Sequence, residues 1–464
     1  MKVLRAAVVL GVSTPLVVLA CGSDDGTVRQ VAAGGQGGES SGESGASGSG
    51  TSGSPVGGEP SRGGVPSVEG GAPNGGAPDT AGQPSGGAGG VPSEPEPACG
   101  DAAVEGGLVC FGAPQVVSLI EGTPTDLAIG AWDAEDGPDV IVAGSVGLTY
   151  FSNTAGVFAD ESYVGTVGAI LGAAQLDSGG ELDLIVGQNI SSPPSVVFGD
   201  GAGAVTTTQG AAVGFEGAPF NFHVSDVAGS GASQDFVATY PYGVSVVVTS
   251  GTEGEGFQEN TTSAFYPNNP ADGVLAKLGT AQWVVYSSSG NVERRQLTYG
   301  VGAVTFGEAL VTATGIAPAQ LDVGDFNEDG FEDVVATSAD AGDLNVLFAD
   351  GTDIGDFAIV EGTDRFLTLS IGASDEAKTQ KDVKVGDFNG DGHADIAVSV
   401  QALDAVAVFS GDGEGAFGPP QLVSTGADSG PARIAVGDLN DDGVDDLAVV
   451  GEGSGKIILL LSDP

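Results

Sequence analysis

One nine-residue pattern constrains this chain more than any other feature. "DFNEDGFED" at 325–333, "DFNGDGHAD" at 387–395 and "DLNDDGVDD" at 438–446 are copies of D-x-N-x-D-G-x-x-D, each followed by an apolar run. Oxygen-bearing side chains at alternate positions of a tight turn converge on one point, and Gly at position six permits the bend that lets them meet. In the first copy Asp325, Asn327, Asp329 and Asp333 offer side-chain oxygens and Phe331 its carbonyl. The second offers Asp387, Asn389, Asp391 and Asp395 with the His393 carbonyl, and the third Asp438, Asn440, Asp442 and Asp446 with the Val444 carbonyl. All of these donors are hard oxygens, a set that selects Ca2+ over metals preferring softer ligands, so about three calcium ions are expected. Position twelve is Ala336, Val398 or Val449, never the Glu of an EF-hand, and the residues that follow alternate as strands do. The reading is a strand–turn–strand calcium loop.

The closing Asp of this turn recurs along the chain at 139, 183, 235, 333, 395 and 446. The gap between 235 and 333 holds two repeats, the hidden one a degenerate unit around "AKLGTAQWVVYSSSG" at 276–290. That makes seven units of about 51 residues, within the range of four-stranded propeller blades. The final unit stops after "KIILLLSDP" and lacks its last strand, while "FGAPQVVS" at 111–118 nearly repeats the fourth-strand segment "FGPPQLVS" at 417–424. An N-terminal strand completing the last blade closes the circle and removes two exposed edges. No window carries a sustained 3.6-residue apolar period. The expected fold is therefore all-β, a seven-bladed β-propeller closed by its N-terminal strand.

These repeats resemble the FG-GAP/VCBS family, whose members include the propeller heads of integrin α-subunits. The resemblance covers roughly 103–464 and is specific in the last three units. It implies calcium held by strand–turn–strand loops, and a surface that recognises or adheres to a protein or polysaccharide. The first four units have decayed: Ala131 and Gln175 stand at the first ligand position of two of them, although Asp177 survives. An extra residue spoils the spacing before Asp235, and the fourth unit has no acidic turn, so no ion is expected in these four.

The N-terminus has another texture. Lys2 and Arg5 precede an apolar stretch to Ala20 that is short for a membrane span, and "VLAC" resembles the lipobox of bacterial lipoproteins. That resemblance implies a signal peptide over 1–20, acylation of Cys21, and an envelope protein held to the membrane through its lipid alone. Gly22 in place of Asp points to the outer membrane and cell surface by the same family's sorting rule. Residues 21–98 are Gly, Ser and Pro with scarcely an aliphatic run, a disordered tether whose average reach is on the order of 50 Å. Cys99 and Cys110, close in sequence in an exported chain, suggest a disulfide at the start of the 99–464 propeller.

Lys and Arg total 13 against 62 Asp and Glu, a net charge of −49. Such a surface repels phosphate backbones and excludes nucleic acid as a partner. Catalytic signatures are missing: there are two histidines, and no Walker A, dinucleotide fingerprint or zinc spacing. His223 in "FNFHVSDV" reads as a satisfied structural residue. Two stretches depart from the repeat. One is "VEGTDRFLTLSIGASDEAKTQKDVK" at 360–384, with Arg365, Lys378, Lys381 and Lys384; the other is the aromatic pair of segments "TYPYGV" and "AFYPNNP", with Tyr240, Tyr242, Phe265 and Tyr266. Long loops on a rigid scaffold are where partners bind. The expectation is a monomeric, non-catalytic recognition or adhesion module. The alternatives are a polysaccharide-active enzyme using the propeller channel, or an architectural subunit of an envelope complex.

Overall fold

A computed structural model of the chain describes residues 108–463 apart from short stretches at 120, 134–136, 160–161, 165–167, 177–180, 188–193, 211–218, 226–233, 250–258, 301–302, 353–354 and 359–364. The expected signal peptide over 1–20, Cys21, the expected tether, Cys99 and Asp177 lie outside the described residues. What is described is all-β, with one short 3-10 turn at Gln401–Leu403.

Seven antiparallel sheets follow one another around a ring. Their innermost strands are Pro124–Gly130, Ile170–Ala174, Asn221–Ser225, Gly273–Ala276, Pro318–Gly324, Gln380–Gly386 and Pro431–Gly437, and they number blades one to seven. The second strand of each blade is a near-continuous run of small and β-branched residues such as Asp333–Ser338 or Asp446–Gly451, buried along its whole length. That pattern arises because each blade is covered on both faces by its neighbours, so alternation disappears. Seven apolar clusters fill the seven blade interfaces. The cluster joining blade seven to blade one contains Ile457 and Leu459 against Val140 and Val142.

The ring closes as the out-of-phase ends of the sequence predict. Gln115–Val117 pairs antiparallel with Lys456–Leu460, placing Val116 opposite Ile458 as the fourth strand of blade seven. Phe111 bridges Ser462 just as Phe417 bridges Gly411 in blade six. Gly112 N–H donates to Leu461 O at 2.8 Å, Asp463 N–H to Cys110 O at 2.9 Å, and Val109 N–H to Gln421 Oε1 at 2.9 Å. Cys110 is buried and disulfide-bonded. The degenerate fourth unit is a full blade, with Trp283–Ser288 as its second strand. Its third strand, Asn291–Gly300, is long enough to pair with both Ala303–Phe306 and Leu310–Ala313.

Candidate metal turns and the channel mouth

The three acidic turns join the first and second strands of blades five, six and seven, so they share one face of the disc. They are near-superposable in hydrogen bonding. Asp325 accepts the N–H groups of Asp329 and Gly330 at 3.1 and 2.9 Å, Asn327 Oδ1 accepts Asp329 N–H, and Asp329 Oδ1 accepts Phe331 N–H. Asp387, Asn389 and Asp391 fold the second turn the same way onto Gly392, Asp391 and His393, and Asp438, Asn440 and Asp442 fold the third onto Gly443, Asp442 and Val444. Gly330, Gly392 and Gly443 sit at φ of +85 to +87°, the conformation that requires glycine at position six.

The ninth position behaves differently from the rest. Asp333, Asp395 and Asp446 are fully buried, and each carboxylate bridges two backbone segments. Asp333 accepts Phe326 N–H and Ala349 N–H, Asp395 accepts Phe388 N–H and Gly411 N–H, and Asp446 accepts Leu439 N–H and Ser462 N–H. Burial pushes Asp333 and Asp395 up to about 7; their backbone hydrogen bonds oppose this, and the carboxylates at positions one and five reinforce it. The carboxylates of a turn therefore add to an effect that burial dominates. That donor set, hard oxygens gathered in one tight turn, fits a divalent cation at positions one, three, five and nine with the position-seven carbonyl. Among the described residues no ready-made cluster of three His, Cys, Asp or Glu side chains exists. Asn327 Nδ2 donates to Asp329 Oδ2, and Asn389 and Asn440 do likewise to Asp391 and Asp442, so a cation must displace these pairs. The His393 side chain leaves its own turn and meets Glu328 of the neighbouring one, Nδ1 to Oε1 at 2.6 Å.

The innermost strands turn alternate residues toward the central axis. Asp126, Asp272, Asp322 and Asp382 are buried there beside His223, Lys384 and Arg433. Each acid closes on the next blade: Asp126 accepts Leu171 N–H, Asp272 accepts Leu321 N–H, Asp322 accepts Val385 N–H and Asp382 accepts Ile434 N–H, all at 2.9 Å. His223 Nδ1 accepts Leu275 N–H at 3.2 Å in the same role between blades three and four. Burial and nearby Lys384 lower His223 to about 3, so it stays neutral. Burial raises Asp272 to about 6. Desolvation works against the Lys384 charge, but Asp382, Asp322 and Asp272 outweigh it and raise its pKa. The channel acids are thus committed to holding blades together.

At the end of the channel opposite the acidic turns lies an open cavity of about 420 Å³, lined among others by Thr125, Gln320, Lys381, Arg433 and Glu452. Arg433 spans the channel, its Nη2 donating to Phe220 O at 3.0 Å and its Nη1 to Gln320 Oε1 at 3.4 Å. The structure disperses the basic run that the sequence gathers. Arg365 pairs with Asp356 at 2.7 Å, Lys378 with Asp375 at 3.0 Å, Lys384 lines the channel, and Lys381 alone reaches the cavity. The aromatic group divides too. Tyr240 is core, and Phe265 packs against Tyr286 and Phe306, while Tyr242 and Tyr266 are about three-quarters exposed. Both lie on the cavity face, in the second hairpin of blade three and the crossing to blade four. Sequence reading missed Arg433 and Glu452 of blade seven and Gln320 of blade five. Their one signal was a polar residue at a channel-facing position of an inner strand, or just past the end of a second one.

A family model for the FG-GAP-like repeat matches residues 325–398 and 387–449. No curated protein matches the sequence at a significant level. Among solved structures, BBS1N in complex with ARL6DN is similar at TM-score 0.51 and 10% identity, over 77% of this chain and 98% of that one. A virginiamycin B lyase from Staphylococcus aureus gives 0.47 at 12% identity over 75% and 99%. An Agrocybe aegerita lectin that recognises non-reducing terminal N-acetylglucosamine gives 0.45 at 17% over 74% and 92%. At such identities the first likeness bears on architecture alone. With the ring of sheets and the matched turns, it makes this chain a seven-bladed β-propeller whose last three blades carry FG-GAP-like repeats.

Proposed function

We propose that this chain is a calcium-binding recognition or adhesion module of a bacterial cell envelope, lipid-anchored through Cys21, that engages a protein or polysaccharide without turning it over. The observation that carries this reading is the division of labour between the two faces. One face holds three copies of an oxygen-rich turn whose carboxylates repel one another in the absence of a cation. The opposite face presents exposed Tyr242 and Tyr266 and an open cavity with two cationic side chains. Calcium in the turns would discharge the acids and stiffen blades five to seven, and the rigid ring would hold the other face in one shape for a partner. The channel acids are already closed on backbone N–H groups, which favours binding over catalysis.

The test is capture. The purified chain, immobilised in calcium, is exposed to envelope extract and a panel of polysaccharides, then eluted with chelator. A component retained in calcium and released by chelator is the expected result. A folded chain that retains nothing overturns the reading and makes substrate screening the next step.

A further inference from the structure

We propose that the cavity at the channel mouth is a pocket for the carboxylate of an acidic sugar residue, a uronic acid within or at the end of a polysaccharide. This rests on the recognition reading and specifies its ligand.

The pocket lies within the ~300–1,000 Å³ range of small-ligand sites. Its charged groups are few and placed by the fold. Arg433 is fixed by Phe220 O and the Gln320 side chain, which use only two of its five N–H donors. A guanidinium already held in place loses little freedom on meeting a carboxylate, and the pair is charge-assisted. Lys381 stands exposed at the rim with no hydrogen bond or ion pair to another described residue. The acids deeper in the channel are closed on backbone N–H groups of the neighbouring blades, so they do not fold up onto it. In a chain of net charge −49, two cations at one opening are a local exception.

The third charged group selects among anions. Glu452, held by Gln401 Nε2 at 2.7 Å, faces the same cavity, and Asp126, Asp382 and Asp272 act on Arg433 from deeper in the channel. So much negative charge around two cations admits a monoanion more readily than a phosphate dianion. Glu452 and Gln320 are acceptors beside the donors Lys381 and Arg433, a mixture suited to a ring bearing hydroxyls as well as a carboxylate. A peptide terminus would use the cations but set its own carboxylate against Glu452 with no hydroxyl to satisfy it. Phe220, 44% exposed beside the mouth, and Tyr242 and Tyr266 on the same face offer flat surfaces for the rest of the saccharide.

The experiment is calorimetric titration of the whole chain with three probes: a glucuronic acid-containing disaccharide, the same disaccharide with its carboxyl reduced to the alcohol, and an acidic peptide with a free C-terminus. The expected result is saturable binding of the first, weakened at least about tenfold by carboxyl reduction, as for loss of a charge-assisted contact. Lys381→Ala, on the exposed rim, should weaken the acidic disaccharide by about fivefold or more and leave the reduced one unchanged. Arg433→Lys, which keeps the charge but loses the fork, should cost a similar factor. Equal binding of the two disaccharides overturns the proposal, as does binding of the peptide alone. If none of the probes binds while envelope material is still captured and released by chelator, the pocket assignment falls and the recognition reading stands.

Discussion

Blades five to seven and blades one and two diverge in their first turns yet close them alike. In blade seven, Asp446 accepts N–H groups from Leu439, Asn440 and Ser462. In blade one the acidic turn has decayed, with Ala131 at its first position, but Asp139 accepts N–H groups from Trp132, Asp133 and Asn153 in the same geometry. Asp183 does so in blade two, with Leu176 and Gly199. The difference separates two roles within one motif. The ninth residue holds the blade together whether or not a cation is expected, whereas positions one, three and five are dispensable to the fold. Blade four has lost even the ninth Asp, and its turn is braced from outside: Glu332 of blade five accepts Lys277 N–H and returns its own N–H to Lys277 O. The same brace joins Gln234 to Gln175 and Asp445 to Asp387.

The largest effect expected is one that erases this comparison. Asp139→Ala and Asp446→Ala each leave several buried N–H groups without an acceptor, and in calcium-free buffer both should cost about 3–5 kcal/mol by denaturant unfolding. A much smaller loss for Asp139→Ala would mean that the ninth residue serves the ion rather than the blade.

The next effect should divide the molecule. Asp329→Ala, Asp391→Ala and Asp442→Ala each remove an exposed side chain bonded within its own turn, Asp442 adding only long contacts to the Ser462 hydroxyl, so without calcium they should change stability little. With 1 mM calcium and a site Kd near 10 μM, each intact turn adds about 2.7 kcal/mol, and each substitution should abolish one such increment and one bound ion. Three ions per chain by titration, falling to two in every single variant, is the expected count. Thermal unfolding unaffected by chelator would remove calcium from the reading of all three turns.

How much of this was legible follows from what repeats. The blade count, the closing strand and the buried second strands were readable because the closing Asp and the "FG-P-Q" segment recur at blade spacing, and recurrence survives in the linear chain. The separate role of the ninth Asp was not readable, since its acceptor function depends on N–H groups seven residues before and sixteen after it. The channel mouth was hidden for a stronger reason. Arg433 meets Phe220 and Gln320 across the ring, more than 100 residues away in each case, and no local pattern records a contact whose partners lie in different blades. The basic run at 365–384 misled in the opposite direction, because neighbours in sequence along a blade point to different ends of the disc.

The smallest effect tests whether the inner belt of the two halves differs as the turns do. Blades five and six clasp their neighbours through Asp322 and Asp382, but blade three uses the neutral imidazole of His223. Its Nε2 lies 3.9 Å from Asp322 Oδ1, and Lys384 faces it from blade six. Folding holds His223 at about 3 against an ordinary 6.5, so between those values the unfolded chain binds a proton that the folded one refuses. The contribution is complete above about pH 6.5 and is lost as pH falls, by up to about 1.4 kcal/mol per unit. His223→Asn keeps an acceptor for Leu275 N–H but does not titrate. The stability of the native chain relative to this variant should therefore fall by about that amount between pH 6 and pH 5, measured by denaturant unfolding at each pH. The measured difference isolates the histidine, because Asp272, Asp322, Asp382 and the other channel acids are present in both proteins. A pH-independent difference would mean that the imidazole is charged in the folded ring and paired with Asp322, and the belt of blade three would then be ionic like that of blades five and six.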